Sequence, residues 1–459
     1  MKRFVPLAAL MVTACVTPSP PTATSIDPTI VAGSFPSLPV ASIEPVPDDW
    51  WRLYDDPVLD RLVEASLAAN ADLRVAYANL DGARAALRQA QAARQPQTTI
   101  ESSLGIDNPA NQPSASGNVP TTDYDLAVTA SWDADLFGRL RSGAFAARAD
   151  AEAQAAALDG VKVAVVADTV LAYVDLCGAT RSLAVVGEQV ALQDRALTIT
   201  RSQLAAGEVS PVEVSQAANL VATTKANIAP LEAAQANARY RLATLAGRPA
   251  GDARSNPMTC TVAPKLRAAA PVGDGTALLL RRPDIREAER RLAAATARIG
   301  VARADLYPRI NLGGALGLLS GGLVATGSPL VSWTFPNRAP ARARIEQAEA
   351  TERAALAGWD VAVLRALRDV ETALAAYDGE VRRNRALTEA RDEGRLYARR
   401  AEARVRLGDA APLLRVDADR TLAQAELSLA QSELAVAQAQ VALFRALGGG
   451  WRTGREPLE

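Results

Sequence analysis

Hydrophobic and polar positions along this chain repeat with two periods, and the changes from one to the other outline its elements. Apolar residues three and four apart dominate two long stretches, 139–206 and 341–407, which hold no proline and are rich in alanine, arginine, leucine, glutamate and glutamine. Leu183, Val186 and Val190 show the spacing. The pattern predicts helices of 68 and 67 residues, each about 100 Å long at 1.5 Å per residue. A rod of that length cannot fold inside a compact domain. A glycine turn follows each, at Gly207 and Gly408, and then a shorter helix, 212–247 and 413–448. In the second of these Leu422, Leu429, Val436 and Leu443 recur at sevens, the spacing of coiled-coil packing. Pro230 is expected to kink the first. With the helical pattern of 58–95 added, two short helices placed end to end match one long one. Each half of the chain therefore reads as a long rod beside a broken one.

Between these helices the period drops to two. Tyr124, Leu126, Val128, Ala130 and Trp132 fall on one face, with Asp125, Ala127, Thr129, Ser131 and Asp133 on the other. Thr98, Ile100, Ser102 and Leu104 alternate with Thr99, Glu101 and Ser103 in the same way. A hairpin over 97–136, with about ten residues per strand, an apolar outside and a polar inside, has the length and pattern of a transmembrane β-hairpin. A second, over 308–336, carries Ile310, Leu312 and Leu316 and then Val331, Trp333 and Phe335, joined through the glycine-rich residues 313–327. The lipid-facing positions read from this pattern are Tyr124, Leu126, Val128, Trp132, Ile310, Leu312, Val331 and Trp333. A soluble hairpin packed on one face would alternate likewise; the position of both hairpins at the same end of the long rods favours the membrane. Hydrocarbon does not tolerate open sheet edges, so other copies must complete the four strands. Two copies would give eight strands around a filled interior, and three would give twelve around a passage.

The halves also match as sequence. A shift of 212 aligns Asp72 with Asp284, Arg74 with Arg286, Leu80 with Leu292 and Pro96 with Pro308, without a gap. A shift of 201 then aligns Gly207 with Gly408 and Pro211 with Pro412. The shortfall between the two shifts is expected in the second hairpin. The chain divides into a signal peptide (1–14), a tether (15–49), a first repeat (50–250), a linker (251–282), a second repeat (283–448) and a tail (449–459).

At the N-terminus Met1, Lys2 and Arg3 precede an apolar run from Phe4 to Val12, the parts of a secretory signal. Cys15 follows the small residues Thr13 and Ala14, which resembles a bacterial lipobox, whose cysteine takes palmitate and related acyl chains and becomes the mature N-terminus. Val16 stands where aspartate would retain such a lipoprotein at the inner membrane, so outer-membrane sorting is implied. An ordinary signal with an incidental cysteine is the alternative. Residues 18–47, rich in Pro, Ser and Thr, suit an extended tether. No later run reaches 18 consecutive apolar residues, so a membrane crossing falls to strands.

Composition removes other functions. The 459 residues include 50 basic and 51 acidic side chains and no histidine, which excludes a Ser-His-Asp triad and a histidine-bearing zinc site. A net charge of -1 argues against nucleic acid. No acid pair, phosphate loop or metal-ligand spacing stands out, so no enzyme, cofactor or metal is expected.

One segment is distinctive as sequence: Leu280-Arg281-Arg282-Pro283-Asp284-Ile285-Arg286-Glu287-Ala288-Glu289-Arg290-Arg291-Leu292, continuing through Ile299-Gly300-Val301-Ala302-Arg303-Ala304 to Tyr307-Pro308. With Trp50, Trp51, Asp56-Pro57, Leu59, Asp135-Leu136-Phe137-Gly138-Arg139 and the run from Ala343 to Ala350, it resembles the TolC-type outer-membrane efflux channels, in their lipoprotein (NodT/OprM-type) branch. The resemblance covers nearly everything after Pro45. It implies a mainly helical, internally duplicated chain with a small membrane β part. Three subunits, four strands each, would form a twelve-stranded barrel continued by a long periplasmic helical barrel. It further implies a periplasmic adaptor, which would meet the turns at Gly207, Pro211, Gly408 and Pro412, and an inner-membrane transporter that supplies small toxic compounds or drugs, which the channel would conduct passively (multidrug efflux). In the family the second turn carries a leucine, an aspartate and another aspartate three residues on, narrowing a closed entrance. These map to Leu413, Leu414 and Asp417, so one acid of the two is present, and Leu414 and Asp417 are the gate positions. Asp417 as a solvated helix-face residue is the alternative. Ala339-Pro340 stands where the family has glycine.

With Cys15 assigned to lipid, Cys177 and Cys260 remain as an even pair in an oxidising compartment. Cys177 lies about 45 Å along its helix from Gly207. Cys260 lies in the Pro- and Gly-containing linker that follows Gly247, where the helix climbing from the same turn ends. A Cys177–Cys260 disulfide is expected. The exit duct of a type I protein-secretion system shares the fold and stands as the alternative function, with a periplasmic coiled-coil scaffold as the alternative of another class.

Overall fold

The computed structural model describes residues 41–42, 44–107, 121–252, 260, 263–266, 269–273, 281–319, 322–411 and 413–449. Its helices are α1 (Pro57–Ala69), α2 (Ala71–Ala92), α3 (Arg139–Ala205), α4 (Pro211–Ala226), α5 (Ile228–Leu245), α6 (Pro283–Ala304), α7 (Ala339–Arg406) and α8 (Leu413–Ala446). Its strands are β1 (Ala41–Ser42), β2 (Gln97–Asp107), β3 (Thr121–Asp133), β4 (Ala270–Pro271), β5 (Arg309–Leu319) and β6 (Gly322–Ser332). The described residues fall into two compact units: 78–156 with 286–362, and 41–77 with 157–285 and 363–449.

The duplication is visible in the element boundaries. Adding 212 to the bounds of α2 and β2 gives those of α6 and β5, and adding 201 to the last residues of α3 and α5 gives those of α7 and α8. Thirteen positions separate β2 from β3 and two separate β5 from β6, so the shortfall between the two shifts sits in the link between β5 and β6.

The first unit holds a four-stranded antiparallel sheet of order β2-β3-β5-β6. Helices α2, α3, α6 and α7 all join it at one end, where Gln97 pairs with Ser131, Asp133 with Asn311 and Arg309 with Ser332. Two expectations for the second hairpin need correcting. Most of 313–327 is paired strand in β5 and β6 rather than a connecting segment, because glycine and alanine opposite one another leave the ladder intact (Gly314 with Gly327, Leu316 with Ala325). Trp333 and Phe335 lie beyond β6, which ends at Ser332 opposite Arg309. Pro308, the residue before Arg309, has no amide hydrogen with which to continue the ladder.

The second unit is organised around Trp50, which is fully buried and stacks on Phe444 at 4.7 Å. Val166, Val170, Val174, Leu374 and Leu443 pack in the same cluster. Most of an apolar window within α3 is buried, so its hydrophobicity is explained by this packing. Asp56 caps α1 by accepting from the amides of Val58 (2.9 Å) and Leu59 (3.3 Å), and it also accepts from the Tyr173 hydroxyl at 2.7 Å. The parallel pair β1–β4 and the Arg281 guanidinium, which donates to the Val46 carbonyl and to Asp48, hold the N-terminal strap. The short helix of the first repeat breaks at Asn227 instead of kinking at Pro230. Proline at 230 can neither bond to nor approach the carbonyl of residue 226, so α4 ends at Ala226 and α5 restarts with Pro230 in its first turn. Gln431 occupies the corresponding place in α8, which runs unbroken.

Candidate functional site: a two-faced sheet and two glycine turns

The register of the sheet sorts its side chains into two faces. Three rows of paired positions cross one face: Ser102-Leu126-Leu318-Leu323, Ile100-Val128-Leu316-Ala325 and Thr98-Ala130-Gly314-Gly327. Trp132-Leu312-Pro329 and Ile310-Val331 complete it toward the helix-bearing end, and Tyr124 holds the position opposite Leu104. This face is almost wholly apolar and open, with Ile100 72% and Leu323 76% exposed. The other face reads Ser103-Asp125, Glu101-Ala127-Gly317-Val324, Thr99-Thr129-Ala315-Thr326 and Asp133-Asn311-Leu330. Of the lipid-facing positions read from the pattern, the register brings seven onto one face and leaves Trp333 at the rim. There the Trp333 indole N–H donates to the Leu306 carbonyl at 3.2 Å. Trp132 donates to the Arg94 carbonyl at 3.0 Å. These pairs are equivalent under the two repeat shifts. The pairing is hidden in the sequence because the shift changes between the two strands of a hairpin.

Each long helix of the second unit ends in the same turn. Gly207 (φ 78°) and Gly408 (φ 76°) take the left-handed conformation that glycine adopts without strain. The next residue's amide then reaches back to close a Schellman motif: Glu208 to the Gln203 carbonyl and Asp409 to the Arg404 carbonyl, both 2.9 Å. Beyond this shared backbone the turns differ. In the first, Pro211 opens α4 and Glu213 accepts from the Ser210 amide at 2.6 Å and from the Ser210 hydroxyl, a capping box. These bonds hold the Glu213 carboxyl below its usual range. Leu197, Ala217 and Val221 pack behind it.

In the second turn Ala411 and Leu414 stand where the first has Ser210 and Glu213, and a charged cluster gathers where the first has Ala196, Asn219 and Ala218. Asp417 accepts from Arg420 at 2.6 Å and from the Tyr397 hydroxyl at 3.3 Å. Desolvation raises the Tyr397 hydroxyl, and the Asp417 charge and this bond add to the rise. Arg415 lies between Glu402 (3.6 Å) and Asp419 (3.7 Å). Burial pushes the Asp419 carboxyl up, with Glu402 adding to the rise and Arg415 opposing it. Leu414 is half-buried beside Asp417 in the first turn of α8. Tyr397, Arg420 and Asp419 were not picked out by sequence reasoning. Their signal was available in the shift of 201, which sets them against Ala196, Asn219 and Ala218.

Cys177 and Cys260 are disulfide-bonded, with Cα atoms 4.8 Å apart. Cys15 and Pro412 lie outside the described residues. Among the described residues no group of three or more His, Cys, Asp or Glu side chains could hold a metal ion.

Comparison with known proteins places this arrangement. The family described as Outer membrane efflux protein matches residues 62–248 and 276–449. Nodulation protein T of Rhizobium leguminosarum bv. trifolii is 33% identical over 74% of each chain. The pyoverdine export outer membrane protein OpmQ of Pseudomonas putida is 30% identical over 98% of this chain and 97% of its own length. Among solved structures, the outer-membrane channel OprN superposes with a TM-score of 0.85 at 35% identity, covering 94% of this chain and 97% of that one.

Proposed function

This chain belongs to the outer membrane efflux protein family, and from that premise we propose that three copies close one twelve-stranded barrel and that the turn following α7 gates the passage beneath it. The family consists of channels rather than enzymes, and this chain is the outer-membrane channel of an efflux pump in a Gram-negative bacterium. The observation that carries the barrel is the sheet. It has one apolar face, one polar face and two edges, β2 and β6, with no partner among the described residues. Lipid tolerates such edges only when neighbouring copies pair them. Twelve strands leave room for water on the polar face, where eight would fill with side chains.

A periplasmic adaptor would engage the turns at Gly207 and Gly408, and an inner-membrane transporter would supply both the compound and the energy. OpmQ exports pyoverdine by its name, and a wide polar duct would pass a compound handed to it in the same way. The gate would be a ring of three Asp417 carboxylates, each held in its own chain by Arg420 and Tyr397. Such a ring favours cations and resists closer approach. Parting the turns would move the carboxylates away from one another.

Planar-bilayer recording of the purified protein tests both parts. The wild type should give small, cation-selective steps, and Asp417→Ala should raise the conductance severalfold and reduce the selectivity. A water-soluble monomer without conductance would defeat the barrel, and an unaltered Asp417→Ala channel would defeat the gate.

A further inference from the structure

We propose that the helix-bearing rim of the sheet carries one binding site per chain for the phosphodiester headgroup of an anionic phospholipid, built on Arg338 and Trp333. The inference rests on the membrane reading of the sheet. The apolar face ends with the Ile310-Val331 pair, two residues before Trp333, so Trp333 sits where hydrocarbon would give way to headgroups. An indole there keeps its ring in the apolar layer and its N–H on a protein acceptor, here the Leu306 carbonyl.

What sets the second hairpin apart is a cation without a counterion. Trp333 stacks on Phe335 at 5.0 Å, and the Arg338 guanidinium carbon lies 5.4 Å from the centre of the Trp333 ring. The Arg338 Nε is shielded from solvent and has no hydrogen-bond partner. An unsatisfied, desolvated donor on a charged group is costly, which makes it a place where an acceptor would be gained. Among the described residues no ion pair is formed by Arg338 or by Arg342, which lies one helical turn on. Asp305, four residues before Arg309, is already held by Arg309 (2.6 Å) and Arg344 (3.2 Å). A guanidinium laid over a ring keeps its planar edge of donors free, the geometry that takes a phosphate with two parallel bonds. Exposed Val331 and Phe335 beside it offer an apolar wall to acyl chains, which a free phosphate would not use. In the first hairpin the shift of 201 puts Phe137 in the place of Arg338, and it stacks on Tyr307 instead, so that hairpin has no arginine at this position.

The test is native mass spectrometry of the full-length protein, stripped of lipid and titrated in detergent with phosphatidylglycerol or with phosphatidylcholine. The wild type should retain phosphatidylglycerol up to one per chain and phosphatidylcholine far less. Arg338→Gln should weaken phosphatidylglycerol about tenfold, the scale of one lost charge-assisted contact. Arg353→Gln, which removes the same charge from an exposed position further along α7, should not. Equal retention of the two lipids, or undiminished phosphatidylglycerol binding by Arg338→Gln, would overturn the site. Full displacement by millimolar inorganic phosphate would overturn the lipid assignment. Conductance recorded on the same samples separates the outcomes: a conducting channel that ignores headgroup charge refutes only this site, whereas loss of conductance in the wild type refutes the barrel.

Discussion

Asn70 and Arg282 do the same work with different chemistry. Asn70 Oδ1 accepts from the amides of Asp72 (2.9 Å) and Leu73 (3.1 Å) and so caps α2, while its Nδ2 donates to the Leu245 carbonyl at the end of α5. Under the repeat shifts these positions become Arg282 and Ala446, and Arg282 Nη1 donates to the Ala446 carbonyl at 2.8 Å. A helix end left without a partner in a packed interior is penalised, and Asn70 is buried. Asn70→Ala should therefore destabilise the protein by roughly 2–3 kcal/mol, a lost cap plus an orphaned carbonyl, read as a lower thermal midpoint. Asn70→Asp, which keeps the cap acceptor and loses the donor, should recover only part. Aligned as sequence, asparagine against arginine is a mismatch, so this equivalence was illegible: the shared property is a donor's reach, not a residue type. Asp417 was legible through the resemblance to the family's second turn, but its partners Tyr397 and Arg420 were not.

Titration separates the two turns at the same scale. The native chain holds Asp419 protonated to higher pH than the unfolded chain does, so this group's contribution to stability grows as pH falls through the window just above the ordinary carboxylate range. At neutral pH its ionised form is a cost, eased by Arg415 and worsened by Glu402. Glu213 has the opposite sign, because its lowered carboxyl contributes above its unfolded value and is lost on acidification. Asp419→Asn should raise the thermal midpoint at pH 7 and lose that advantage near pH 4.5. Glu213→Gln should be most harmful at pH 7. If both variants followed the same pH trend, the opposed signs would be wrong.

At the scale of elements, the difference between the two short helical arms traces to one residue. Pro230 sits in the first turn of α5, where its missing amide hydrogen is not needed, and Asn227 ends α4 with its amide on the Thr224 carbonyl at 3.1 Å. Pro230→Ala should be nearly neutral, within about 1 kcal/mol, since it adds a donor at a junction already satisfied. Gln431→Pro at the matching exposed position should cost about 3 kcal/mol, because α8 has no break there to receive it. Circular dichroism and thermal melts of the two variants check the asymmetry. A proline in a helical run announces a disturbance but not its address. The break falls at Asn227, just after the residue 226 carbonyl that the ring opposes and that must be released. The second hairpin was misjudged for a related reason. Glycine was read as a connector, yet Gly314 and Gly327 face each other in a continuous ladder, and a strand of small residues loses the alternation signal without losing its hydrogen bonds.

For the whole molecule, duplication within the chain and repetition between chains multiply each local choice. The single helix expected over 58–95 is in fact α1 and α2, parted at Asn70, whose side chain caps the second. The two long rods, the two glycine turns and the first hairpin could be read from periodicity because each is set by one short-range rule. The pairing of β3 with β5, which joins the two repeats into one sheet, could not, since it brings together positions as distant in the chain as Val128 and Leu316. That pairing places Val128 between Ile100 and Leu316, at the centre of the apolar face. A charge there would be buried in hydrocarbon at about 2–4 kcal/mol per strand near the midplane, and a barrel of three copies would bear it three times. Val128→Arg should then leave the protein unassembled and absent from outer-membrane fractions. Ala127→Arg is one residue away, but on the face shared with Glu101 and Gly317. It should assemble, reach the outer membrane and shift the channel's selectivity toward anions. The two variants have the same charge and nearly the same place in the chain, so an opposite ranking in membrane fractionation would mean that the faces are reversed and that the polar rows meet the lipid.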